Sequence, residues 1–113
     1  MLEREDNIRI LGQFNILEAD DGVTGIEVMQ AELAAGREIT YVLMDYVMLK
    51  MNGPEAARKM RCELGYEGPI IGVTGNALPE DIAFFIENGA NSVVIKPLTN
   101  AKMLESMQIN PLK

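Results

Sequence analysis

The chain has 113 residues, of which 48% are hydrophobic, with one cysteine, no histidine and a net charge of −7. This length suits one domain with its own core, and the composition excludes a disulfide framework, a cysteine- or histidine-ligated metal centre and histidine-based catalysis. The acidic charge argues against a nucleic-acid partner, and no apolar run approaches the roughly 20 residues that span a bilayer.

The N-terminal segment carries little structural signal. Residues 1–6 lack an apolar stretch and carry charges of both signs, unlike a signal peptide, so we expect a cytoplasmic protein, or part of one, with no membrane partner. Residues 8–11 predict at most a short helix, and nothing in residues 1–13 has the pattern of a hydrophobic strand. Phe14–Ala19 predicts the first strand, and the helical spacing of apolar residues across Gly22–Ala35 predicts an amphipathic helix.

From residue 39 onward, strands and helices alternate along the chain. Apolar runs predict the strands, and Asn or Pro residues after them predict the starts of the helices. In chain order these elements are a strand at 39–45, a helix from Asn52-Gly53-Pro54, a strand at 70–74, a helix from Leu78-Pro79, a strand at 92–95 and a helix from Asn100. The alternation predicts an α/β fold with a parallel sheet and right-handed crossovers, in which four strands can be counted.

Three side chains that can contact a phosphoryl group end three successive predicted strands: the carboxylate of Asp45, the hydroxyl of Thr74 and the amine of Lys96. Because an open parallel sheet binds ligands at the carboxyl ends of its strands, we expect these groups to share one site. A carboxylate attacks phosphorus to form an aspartyl phosphate, while a hydroxyl and an ammonium group contact the phosphoryl oxygens. Taken singly, these residues are also typical of a turn, a strand and a strand end. Their joint placement favours a phosphoryl site.

The motifs around these residues resemble the receiver domain of two-component response regulators, the phosphoacceptor module of phosphorelays. The resemblance covers residues 14–107, which leaves 1–13 as an atypical N-terminal segment of a single domain spanning 1–113. Its motifs are Val42-Leu43-Met44-Asp45-Tyr46-Val47-Met48 with Met51-Asn52-Gly53, then Ile71-Gly72-Val73-Thr74-Gly75-Asn76-Ala77, then Gly89-Ala90-Asn91 with Ile95-Lys96-Pro97-Leu98. Ala19-Asp20-Asp21-Gly22 is similar to the family's turn after its second strand.

The resemblance implies a flavodoxin-like, doubly wound parallel sheet with strand order 2-1-3-4-5. It implies that Asp45 accepts a phosphoryl group from a phosphohistidine of a histidine kinase or histidine phosphotransfer protein, and that Thr74 and Lys96 contact that group. Asp45 and the backbone carbonyl of Val47 would bind Mg²⁺, and the Lys96–Pro97 peptide bond would be cis. The Thr-Gly-Asn-Ala motif is similar to receivers of hybrid histidine kinases, which are signalling domains rather than enzymes.

The sequence departs from the receiver pattern at two places that bear on function. The family's first strand, which ends in an acidic pair that helps to hold magnesium, is not found, so we expect this strand to be missing or rebuilt and magnesium binding to be weakened. Its loss would leave backbone groups of the neighbouring strands unpaired. A rebuilt N-terminus, strand exchange in a homodimer or residues of a longer parent chain would supply partners. Val93 also stands where many receivers place a switch Tyr or Phe.

Two other functions are weighed against this one. A degenerate receiver would act as a phosphate-independent protein-interaction module, and the missing acidic pair favours that alternative. A phosphatase of the haloacid dehalogenase type would need a second aspartate where this chain has Val47, which argues against that class.

Overall fold

Within the described residues, six strands form one sheet, and their order across the sheet is their order along the chain. The computed structural model describes residues 2–5, 8–11, 14–19, 21–46, 51–75, 78–97, 99, 101, 102 and 105. The elements are β1 (Leu2–Glu5), β2 (Ile8–Leu11), β3 (Phe14–Ala19), α1 (Gly22–Ala34), β4 (Tyr41–Asp45), α2 (Gly53–Cys62), β5 (Ile70–Thr74), α3 (Pro79–Glu87) and β6 (Ser92–Ile95). The alternation predicted from residue 14 to residue 95 is therefore confirmed. Of the last predicted helix, residues 101, 102 and 105 are described, and they are helical.

The four strands from β3 to β6 run parallel, and a helix connects each to the next. β3 pairs directly with β4, so that Ile16 lies opposite Tyr41 and Ala19 lies opposite Met44. The order β3-β4-β5-β6 is the expected order 2-1-3-4-5 with its first strand left out. The gap that the missing strand would have left is closed, because its two neighbours pair with each other.

The N-terminal segment corrects the sequence prediction, because residues 8–11 form a strand rather than a short helix. β1 and β2 pair antiparallel, and β2 pairs antiparallel with β3. A helix of four residues cannot repay its nucleation cost, whereas a strand of that length gains backbone hydrogen bonds by covering the open edge of β3. The rebuilt N-terminus is thus one of the expected remedies, and it sits at the edge of the parallel strands instead of among them.

The core lies mainly between the sheet and helices α1, α2 and α3. Side chains alternate along each strand, so that Leu17, Val42 and Ile70 face the helices while Ile16 and Leu43 face the other side. The helices contribute buried residues to the first group, namely Met29 of α1, Ala56, Ala57 and Met60 of α2, and Phe85 of α3. Helices α1, α2 and α3 therefore pack on one face of the sheet and leave the carboxyl ends of the parallel strands for the site.

Arg61 connects the segments that precede β5 and β6, at the amino ends of these strands. Its guanidinium donates hydrogen bonds to the carbonyl oxygens of Tyr66, Gly68 and Gly89, and to Oδ1 of Asn91 at 2.8 Å. That same Asn91 oxygen accepts a hydrogen bond from the backbone N–H at the start of β5. One half-buried side chain thus joins the end of α2 to the turn after α3, because a planar guanidinium has donors pointing in several directions.

Candidate functional site

The carboxyl ends of β4, β5 and β6 lie side by side, and each carries one of the predicted site residues. Asp45 pairs with Val73 of β5, and Thr74 pairs with Ile95 of β6. Lys96 Nζ lies 3.5 Å from Asp45 Oδ1, and the Lys96 backbone N–H donates to the carbonyl oxygen of Thr74 at 2.7 Å. The structure therefore brings Asp45 and Lys96 into contact and places Thr74 on the strand between them.

The exposure of these residues differs in a way that suits a site for a transferred group. The side chains of Lys96 and Asp45 are 50% and 35% exposed, whereas Thr74 is buried. Ion pairs that are this exposed contribute only about 0–1 kcal/mol to stability. The pair can therefore open at little cost in stability. The Lys96–Pro97 peptide bond is cis, as predicted.

The backbone immediately after Asp45 is held from two sides. The Tyr46 N–H donates to the Val73 carbonyl at 2.9 Å, and the Tyr46 carbonyl accepts from the Gly53 N–H at 2.8 Å. Gly53 opens α2, whose N-cap residue Asn52 accepts a hydrogen bond from the backbone N–H of Glu55. The start of α2 thus packs directly against the carboxyl end of β4. Val47, the predicted source of a carbonyl ligand, lies outside the described residues.

The turn between β3 and α1 reaches the same edge of the sheet. The Gly22 N–H donates to the Met51 carbonyl at 3.3 Å, so the start of α1 lies against the loop that follows β4. Asp21 is the N-cap residue of α1, and it stands two residues after Ala19, whose partner Met44 immediately precedes Asp45. The direct β3–β4 pairing therefore places the turn that carries Asp21 at the same end of the sheet as Asp45. Sequence reasoning missed this, because it assigned the turn to a strand that does not adjoin the Asp45 strand in the expected order 2-1-3-4-5.

Tyr46 is the other residue that sequence reasoning missed. Its hydroxyl lies 3.5 Å from Asp81 Oδ1, a long hydrogen bond, and its ring meets the ring of Phe85 edge-on, with centroids 5.6 Å apart. Both partners belong to α3. Burial, together with the negative charge of Asp81, raises the pKa of Tyr46 above its ordinary value. The protonated phenol is the form that can donate a hydrogen bond to the Asp81 carboxylate.

Within the described residues there is no group of three or more His, Cys, Asp or Glu side chains arranged to hold a metal ion. The same part of the chain contains no helix long and apolar enough to cross a membrane.

The sequence profile of the response regulator receiver domain matches residues 5–108. The chain belongs to this family. A receiver relative, the chemotaxis protein CheY homolog of Campylobacter jejuni, is 30% identical over 99 residues, which cover 87% of this chain and 73% of that protein. The sensor histidine kinase RcsC of Escherichia coli is 35% identical over 94 residues, covering 83% of this chain but only 9% of the kinase.

Solved structures agree with this receiver assignment. The receiver domain of sensor histidine kinase PA1611 from Pseudomonas aeruginosa, crystallised with a magnesium ion coordinated in the active site cleft, superposes with a TM-score of 0.58 at 27% identity. The match covers 84% of this chain and 94% of that domain. The flavodoxin-like α/β fold expected from the motifs is therefore confirmed, with the family's first strand left out and two N-terminal strands added at the edge of the sheet.

Proposed function

We propose that this receiver accepts a phosphoryl group on Asp45 from a phosphohistidine of a histidine kinase or histidine phosphotransfer protein, and signals through partner binding. The observation that carries the proposal is the contact between Lys96 Nζ and Asp45 Oδ1 at the carboxyl edge of the sheet. In the transfer, a carboxylate oxygen of Asp45 attacks phosphorus and the P–N bond to the donor histidine breaks. The electron pair of that bond returns to the imidazole nitrogen.

The neighbouring residues of the site have distinct parts in this transfer. Lys96 leaves its contact with Asp45 Oδ1 and pairs with an oxygen of the incoming phosphoryl group, which compensates the charge that accumulates there. Thr74 ends β5 between the other two strands, and its hydroxyl donates a hydrogen bond to a second oxygen. Most of the rate enhancement in phosphoryl transfer comes from such positioning and charge neutralisation, so a compact site of this kind is sufficient.

Receivers bind magnesium in the active site, and the residues at this edge are suited to it. Mg²⁺ takes oxygen ligands and is commonly held by one or two carboxylates, with phosphate and water completing the octahedron. We assign the carboxylates to Asp45 and to Asp21, from the turn that the direct β3–β4 pairing brings to this edge. The Val47 carbonyl is a further proposed ligand. The bound ion would neutralise charge between carboxylate and phosphoryl oxygens. With fewer carboxylates than usual, we expect its affinity to be lowered.

The proposed partner follows from the kind of protein that this receiver resembles. RcsC is a sensor histidine kinase in which the matching segment is a small part of the whole, so a histidine kinase or a histidine phosphotransfer protein is the phosphodonor we propose. In this account the chain is a single cytoplasmic signalling domain over residues 1–113 and has no enzymatic turnover of its own.

A degenerate receiver that binds partners without phosphate is the second candidate. Its supporting observation is that no three metal-ligating side chains come together within the described residues. The two functions differ in what Asp45 does. In the first, Asp45 is covalently modified, and in the second it is only one half of an exposed ion pair.

The experiment that separates them is intact-mass measurement after incubation with magnesium and acetyl phosphate. We expect one phosphate adduct in the natural chain, none in Asp45→Asn, and a lower yield when magnesium is removed by a chelator. Circular dichroism checks that both proteins are folded. A folded natural chain that takes no adduct would support the phosphate-independent module instead.

A further inference from the structure

We propose that Tyr46 holds α3 in its resting position and that phosphorylation of Asp45 releases it. The release step rests on the proposed function, but the holding role does not. Tyr46 is the residue after the phosphoacceptor, and it makes two contacts with α3, through Asp81 in the first turn and through Phe85 one turn later. Because residues four apart lie on the same face of a helix, Tyr46 contacts one continuous face of α3.

α3 is anchored beneath the phosphoacceptor by the ring of Phe85, which is fully buried. The ring occupies space left by two glycines, since a Cβ on Gly72 would lie 2.6 Å from it and a Cβ on Gly53 would lie 2.7 Å from it. Gly53 is itself packed against the carbonyl of Asp45. The position of α3 therefore depends on the backbone that carries the phosphoacceptor. The ring of Tyr46 packs against the ring of Phe85 in the same place.

The backbone of Tyr46 is fixed, whereas the outer part of α3 has less support. Tyr46 is hydrogen-bonded on one side to Val73 and on the other to Gly53. By contrast, the N-cap residue of α3, Leu78, makes no side-chain capping bond and is 44% exposed, and Ile86 is 47% exposed. The side chain of Tyr46 thus extends from a well-held backbone and packs against α3.

Phosphorylation adds negative charge to Asp45, the residue before Tyr46, and so acts on the backbone that places the two Tyr46 contacts. Whether α3 moves depends on these contacts, which oppose its displacement. We therefore infer that α3 has two positions, one resting against Tyr46 and one displaced from it. Phosphorylation shifts the equilibrium towards the displaced position.

The test measures hydrogen exchange of the peptide that covers α3, with and without acetyl phosphate and magnesium. Tyr46→Phe keeps the ring on Phe85 and removes the hydroxyl from Asp81. Tyr66→Phe is the matched control, because it removes a buried tyrosine hydroxyl that donates to the Ile39 carbonyl, away from α3. We expect Tyr46→Phe to raise the exchange of α3 amides by roughly two- to tenfold before any phosphodonor is added, and to shrink the further rise on phosphorylation.

Two results would overturn the holding role: α3 exchange in Tyr46→Phe equal to that in the natural chain, or an equal rise in Tyr66→Phe, which would signify a general loss of stability. An unchanged difference between phosphorylated and unphosphorylated α3 in Tyr46→Phe would overturn the release step. If the natural chain takes no phosphate adduct, the proposed function and the release step fail together. The comparison of the unmodified proteins still decides whether Tyr46 holds α3.

Discussion

A Cβ on Gly53 would lie 2.2 Å from the carbonyl oxygen of Asp45. The backbone of Asp45 therefore leaves no room for a side chain at the first residue of α2. The start of α2, which the sequence predicts, therefore packs directly against Asp45 of the site. A substitution at Gly53, which has no side chain, should therefore alter the position of Asp45.

Gly53→Ala should destabilise the fold and displace Asp45, because the clash is with backbone and cannot be relieved by a side-chain rotation. We expect a loss of about 1–3 kcal/mol in the free energy of unfolding, measured by urea denaturation, together with reduced phosphate uptake. Gly75→Ala is the control, since a Cβ there would meet only Lys96 Cδ at 4.0 Å. Equal stability of the two variants would contradict the packing argument.

Lys96→Ala should slow adduct formation while leaving stability nearly unchanged. Loss of the positive charge removes a contact that strengthens in the transition state, so we expect the rate from acetyl phosphate to fall by roughly 10- to 100-fold. Because the Lys96–Asp45 pair is exposed, the free energy of unfolding should change by less than about 1 kcal/mol. Lys59→Ala, which removes an exposed pair with Glu63 on α2, should alter neither quantity. An unchanged rate in Lys96→Ala would remove Lys96 from the site.

Asp21→Asn should weaken magnesium binding if the turn before α1 supplies a ligand. Loss of one carboxylate charge from a site with few of them should raise the dissociation constant by roughly tenfold or more, measured by isothermal titration calorimetry. Glu27→Gln, an exposed change on the same helix, is the control for net charge. Equal affinities in the natural chain and Asp21→Asn would mean that this turn does not hold the ion.

Stability should fall in alkaline solution because Tyr66 resists ionisation in the folded state. Burial is the main cause that raises the pKa of Tyr66 above its ordinary value of 10.0, while the nearby charge of Arg61 lowers it in part. A raised folded-state pKa gives stability that is complete below about pH 10 and is lost as the pH rises towards the folded value. Urea midpoints at about pH 9 and about pH 11 should therefore differ less in Tyr66→Phe than in the natural chain. An identical pH dependence would exclude Tyr66 as the cause.

The strands and helices after residue 14 could be predicted because each has a local signal. Asn52 caps α2 and Pro54 lies in its first turn, while the apolar run at Ile70–Thr74 is buried throughout. The positions of Asp45 and Lys96 followed from the convergence of parallel strand ends. The helix start and the buried strand are determined by residues that are close in the sequence.

The N-terminal strands and the Tyr46 contacts could not be predicted, because both depend on residues that are distant in the sequence. Residues 8–11 become a strand only because β3 offers an open edge. Tyr46 meets Asp81 across 35 positions, and no periodicity indicates such a pairing. The approach of Asp21 likewise depends on β3 lying directly beside β4.

The most direct test of the central claim locates the phosphoryl group on the chain. The protein is incubated with magnesium and acetyl phosphate, treated with borohydride, which reduces an aspartyl phosphate to homoserine, and digested for peptide mass spectrometry. We expect homoserine at position 45 in the natural chain and at no other acidic residue. Homoserine at another aspartate, or its absence from a folded and fully recovered sample, would contradict the assignment of Asp45 as the phosphoacceptor.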